Sequence, residues 1–177
     1  ISTVVQQAGG IDNSYSAAYW PWLQTVDPNS GQLVYIPAST FIPGVYAFTD
    51  GAAAPWFAPA GLTRGGIPTV IQAERKLTRS QRDTLYNANV NPIATFPGAG
   101  ISVFGQKTLQ VTPSALDRIN VRRLLIFLKK QISVLSTQVL FDQNVQSTWN
   151  RFKGLIEPFL ANVKVQYGIT DYRLILD

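Results

Sequence analysis

Stepping about 100° per residue from Leu116 places Val121, Leu124, Leu125, Leu128, Ile132 and Leu135 on one side of a cylinder, the strongest period in the chain. The segment reads as one amphipathic helix, and such a helix must find an apolar surface to lie on. Ser114 stands where a cap belongs, with Asp117 in the first turn, against the positive end of the helix dipole. Run from Leu116 to Val139, the helix would be about 36 Å long. A second helix is expected over 145–166, with Pro158 kinking it or opening its second half. A third starts at Thr78, where Thr78-Arg79-Ser80-Gln81 fits a capping box, and runs to Val90 before Asn91-Pro92 ends it.

The first 63 residues are built differently: they hold no Lys or Arg, only Asp12, Asp27 and Asp50, with aromatics and prolines as punctuation. Tyr19 to Val26 is strand-like, Asp27-Pro28-Asn29-Ser30-Gly31 is a turn, and Leu33 to Ile36 returns as the second strand of a hairpin. Alternation puts Trp20 and Trp22 on one side and Tyr19 and Leu23 on the other, as in a strand covered on both faces. Pro21 removes a ladder donor and argues for an edge or a bulge. Pro43-Gly44 opens a short helix from Val45 to Phe48, and 51–66 is a Gly/Ala/Pro-rich loop carrying Trp56 and Phe57. Ile93 to Phe96 and Ile101 to Phe104 form a second hairpin around Pro97-Gly98-Ala99-Gly100. The class is therefore α/β or α+β, a mixed sheet with hairpins flanked by helices, without internal repeats. At 177 residues a single domain is expected.

Three absences bound the chemistry: the chain has no His, no Cys and no Met. A Ser-His-Asp or Cys-His site cannot be assembled, and zinc and iron lose their usual ligands. Gly100 to Thr108 has the look of a phosphate loop, but Gln106 separates Gly105 from Lys107 and the intervening residues are strand-like. The acids beside helices, Glu74, Asp83, Asp117 and Glu157, are not spaced as a catalytic pair, and three of them sit next to an arginine. No catalytic residue, cofactor, metal or small-molecule substrate is expected, and no apolar run approaches the ~20 residues of a membrane span.

The net charge of +5 is unevenly spread. Residues 118–141 hold Arg118, Arg122, Arg123, Lys129 and Lys130 with no acid until Asp142. These five are the candidate contact for an acidic protein surface, with Arg151 and Lys153 of the next helix as rivals for the role. A nucleic-acid backbone is the alternative partner, yet stacking aromatics should then interleave the charges, and Phe127 is the one aromatic between Arg118 and Lys130.

Several blocks in order carry a resemblance: Ser16-Ala-Ala-Tyr-Trp-Pro-Trp-Leu23, Gly44-Val-Tyr-Ala47, Pro55-Trp-Phe-Ala-Pro-Ala-Gly-Leu-Thr-Arg-Gly65, Asn91-Pro-Ile93, Phe104-Gly-Gln-Lys-Thr-Leu109 and Asp117-Arg-Ile-Asn-Val-Arg-Arg-Leu-Leu125. Together they resemble the C-terminal conserved domain of contractile-tail sheath proteins of myoviruses, related to the sheaths of R-type bacteriocins and type VI secretion. The resemblance implies a structural, non-enzymatic subunit of the virion tail, assembled in the host cytoplasm. Its partners would be other sheath subunits, in hexameric rings, and the tail tube, with terminal arms lending strands to neighbouring sheets. Contraction would be a rigid-body rearrangement that drives the tube through the host envelope. The chain opens Ile1-Ser2-Thr3 and stops at Asp177 after the strand-like run Tyr172 to Leu176, so a fragment lacking outer domains and arms is expected.

Overall fold

In the computed structural model, which describes residues 1–176, the chain begins with a helix that its sequence pattern does not announce, α1 (Ser2–Gly9). Val4, Val5 and Ala8 of α1 pack with Leu85, Val90 and Leu109, and this burial, rather than any cap, holds so short a helix. The strand-like run then divides. β1 (Ala18–Trp20) ends at a cis Trp20–Pro21 bond, and β2 (Leu23–Val26) resumes in a different sheet. The expected alternation therefore fails: Trp20 packs beside α1, Leu23 is buried, and Trp22 is exposed.

The turn at 27–31 forms as its residues dictate. Asp27 accepts hydrogen bonds from the Asn29 amide (3.0 Å) and the Ser30 hydroxyl, and Gly31 takes φ +68°. It joins β2 to the antiparallel β3 (Leu33–Ile36). α2 (Ile42–Ala52) has Pro43 in its first turn, and the following loop contains only the one-turn α3 (Gly61–Arg64). β4 (Gln72–Ala73) then completes a sheet of order β3-β2-β4.

α4 (Arg79–Asn87) starts at the expected capping box, with both reciprocal bonds between Thr78 and Gln81 present. Thr78→Ala should lower the unfolding free energy by about 1 kcal/mol, readable as a lower denaturant midpoint; an unchanged midpoint would show that the cap adds nothing here. The helix stops at Asn87 rather than Val90, because Val90, Asn91 and Pro92 already belong to β5 (Val90–Phe96), the middle strand of the order β1-β5-β6. Pro92 is tolerated there: its carbonyl still accepts the Phe104 N–H at 2.8 Å. β6 (Gly100–Val103) returns through Gly98 and Gly100, both at positive φ, so the second hairpin forms as read.

The long helix is shorter than its periodicity suggests. Ser114 caps a 3-10 turn over Ala115–Asp117, Arg118 is extended, and α5 runs from Ile119 to Ser136, about 27 Å. Residues 106–108 cause the break, since the Thr108 amide bonds Asp117 and the Ile119 amide bonds Gln106, both at 2.9 Å. Asp117 thus lies outside the first helical turn. A further 3-10 turn covers Thr137–Val139, and Leu125, assigned to the apolar face, is 42% exposed. α6 (Gln146–Val165) contains Pro158 and buries Ile156, Leu160 and Val163. Tyr172 to Leu176 form no strand, and Asp177 lies outside the described residues. The described chain divides into one unit of Ile1–Arg122 and a second from Arg123 on, the boundary falling within α5. The first unit holds both sheets over a core of Leu23, Ile42, Val45, Ile67, Ile93 and Val103.

Candidate functional site

None of the acids considered for catalysis or metal binding gathers: among the described residues no group of three or more carboxylates could hold a cation. Asp117 pairs with Arg118 at 3.2 Å and Glu157 with Lys153 at 3.4 Å. Gly100 to Val103 is the strand β6, not a phosphate-binding turn, and Lys107 makes an isolated antiparallel bridge with Arg118. Among the described residues no helix is long and apolar enough to cross a membrane.

The five basic residues do not share one environment. Arg118 reaches back to the Tyr86 hydroxyl, and both it (5.9 Å) and Lys107 (4.2 Å) lie over the Tyr86 ring. Burial first, then the Arg118 charge, holds Lys107 below the ordinary lysine range, and its Nζ donates to the Tyr86 carbonyl at 2.9 Å. Arg122 donates to the Ser14 hydroxyl and stacks 4.0 Å from the centre of the Tyr15 ring. Both arginines are therefore ties within the first unit, as cations over aromatic faces. In the second unit, Arg123 is half-buried, while Lys129 and Lys130 are exposed with no ion pair among the described residues. Of the rivals, Arg151 is paired to Asp142 and Lys153 to Glu157.

Below Tyr86 lies a group that the sequence did not single out as polar centre. Asn91 is fully buried; its amide nitrogen donates to the carbonyls of Ala18 (3.1 Å) and Lys107 (2.8 Å), and its oxygen accepts the Lys107 N–H (2.6 Å). One side chain thereby fastens β1 and the 104–108 segment to β5. Gly105 is required beside it, since a Cβ there would meet Asn91 Oδ1 at 2.9 Å and the Pro92 ring at 3.0 Å.

The feature of this molecule most suited to binding another chain is the free side of β3. The Gln24 carbonyl bonds the Ile71 amide beside β4, so Leu23 and Thr25 face β3 and bond Ile36 and Val34. Leu33 and Tyr35 must then turn their N–H and C=O groups outward. Beside that edge, the sheet face bears Trp22 (48% exposed), Val26 (46%), Leu33 (58%) and Tyr35 (42%). An unpaired edge beside apolar side chains is a template for strand addition. Pro21, read as marking an edge or a bulge, directly follows β1, an edge strand of its own sheet; β3 is an edge of the other.

No protein-family model matches the chain. Over 167 residues it is 37% identical to a tail sheath protein of Vibrio phage KVP40, covering 94% of this chain and 24% of that protein. With the tail sheath protein of Enterobacteria phage T4 the identity is 37% over 143 residues, or 81% of this chain and 22% of the other. Among solved structures, the PVC sheath complex of an extracellular contractile injection system, in its contracted state, aligns with a TM-score of 0.83 at 25% identity, covering 98% of this chain and 48% of that one. The contracted helical sheath of the anti-feeding prophage aligns with a TM-score of 0.74 at 29% identity, covering 87% and 41%. The chain spans about a quarter of the length of the phage proteins it matches.

Proposed function

This chain is homologous to phage tail sheath proteins over nearly its whole length, and from that premise we propose that it serves as the polymerising domain of a longer sheath subunit. In this reading it has no catalytic role. It stacks in six-membered rings around a tail tube in the virion, after assembly in the host cytoplasm, and moves as a rigid body when the sheath contracts. The observation that carries the reading is the 37% identity over 94% of the chain, joined to an open β3 edge that can accept a strand from a neighbouring subunit. No observation favours a nucleic-acid partner, since Arg118 and Arg122 are engaged within the fold.

Of the basic segment Arg118, Arg122, Arg123, Lys129 and Lys130, the exposed Lys129 and Lys130 meet an acidic surface of the tube or of an adjacent subunit in this reading. Electron microscopy of the complete protein should show tubes with a sheath-like helical repeat; dispersed particles under all assembly conditions would refute the reading. A Lys129→Glu/Lys130→Glu variant should assemble several-fold less at low salt, with the difference shrinking as salt is added. Salt-independent, undiminished assembly of that variant would remove the lysines from the contact.

A further inference from the structure

A cleft of about 520 Å³ beside α4 is lined by Arg79, Arg82, Asp83, Tyr86, Phe104 and Gln106 among others. It holds two guanidinium groups without a carboxylate partner, Arg82 over aromatic rings and the exposed Arg79. Arg82 lies 5.3 Å from the centre of the Phe96 ring and 5.4 Å from that of Phe104, which fix its plane. Neither Arg79 nor Arg82 has a side-chain hydrogen bond or ion pair among the described residues. Asp83 also lines the cleft, so with the two arginines the balance of charge there remains positive.

These groups specify a ligand. A guanidinium without a partner gives its strongest bonds to a carboxylate. The occupant must therefore present an exposed carboxylate. The chain itself carries such a group at the tip of its first hairpin. Asp27 sits in an exposed turn, two residues before the exposed Asn29, with its carboxylate oriented by the Asn29 amide and the Ser30 hydroxyl. A carboxylate has about four lone-pair sites, so these two bonds leave room for a guanidinium. Charge distribution agrees, because residues 1–63 carry three aspartates and no cation while every arginine and lysine lies beyond them.

We propose that the cleft receives the Asp27–Gly31 turn of a second copy of this chain, Asp27 pairing with Arg79 and Arg82. Repeated head to tail, the contact is heterologous and propagates from copy to copy into a ring or helix, in contrast to a reciprocal pairing of two copies. It thus rests on the sheath reading above and supplies a second joint, distinct from the β3 edge.

These 177 residues hold no cysteine, so once any cysteine elsewhere in the complete protein is replaced, an engineered pair reports the contact without background. Asn29→Cys/Arg79→Cys, introduced into the complete protein and oxidised after assembly, should give a ladder of covalent multimers on non-reducing gels. Asp27→Arg and Arg82→Glu should each reduce pelletable assembly at least tenfold, and the double exchange should recover most of it. Circular dichroism of each variant separates lost assembly from lost folding. Tubes without a ladder, single variants that fold and assemble like the parent, or a double exchange no better than either single one would overturn the contact and leave the sheath reading standing. Parent protein that forms no assembly would overturn both.

Discussion

Tyr35→Pro in the complete protein should yield folded subunits that no longer polymerise. The Tyr35 N–H points away from β2, so proline there removes a donor that only an added strand would use. The substitution also forfeits the weak Gln72–Tyr35 hydroxyl bond (3.3 Å), a loss at an exposed site of well under 1 kcal/mol. Val34→Pro is the informative control. The Val34 N–H faces β2, and its loss should open the hairpin and destabilise the subunit itself by about 3 kcal/mol. Sedimentation with a parallel denaturant titration reads both effects. Normal tubes from Tyr35→Pro would show that the β3 edge plays no part in assembly.

Asn91→Ala should destabilise the first unit by about 3–5 kcal/mol, the largest effect expected of a single substitution in this fold. The change strands the Lys107 N–H and the carbonyls of Ala18 and Lys107 in a dry interior, each at a cost of about 1–3 kcal/mol. Asn91→Asp separates hydrogen bonding from shape: it keeps the acceptor for Lys107 but loses both donations and buries a charge. It should therefore be no better tolerated than alanine. Equilibrium unfolding measures both variants, and a cost below about 1 kcal/mol for Asn91→Ala would show that water or a shifted backbone replaces the amide.

Features governed by neighbouring residues were legible in the sequence. The Thr78–Gln81 capping box and the Asp27–Gly31 turn form from side chains within a few positions of one another, so their chemistry appears in a short window. What escaped depends on distant partners. α1 has neither cap nor charge to mark it, and exists because Leu85 and Leu109 supply a surface. The alternation through Trp20 and Trp22 assumed one continuous strand, whereas the chain changes sheets at Pro21. The start of α5 moved because residues 106–108 compete for the amides and carbonyls of 117–119. The basic candidates show the same limit: Arg118 meets a residue 32 positions away and Arg122 one 108 away, so a run of charge became two internal ties and a few surface groups. The family resemblance was legible because its blocks are contiguous words, which the identity to phage sheath proteins bears out.

The shortness of β3 has a consequence for how an assembly built on it would behave. Four residues offer outward groups at only two positions, so one added strand makes about four main-chain bonds, with a net worth of roughly 2–6 kcal/mol. A single such joint opens readily, and a subunit seated in the wrong register can leave. A subunit held at several joints at once benefits from high effective concentration, since each opened joint closes again before the others let go. Error correction during growth and permanence afterwards then come from the same weak edge, separated only by how many joints have closed.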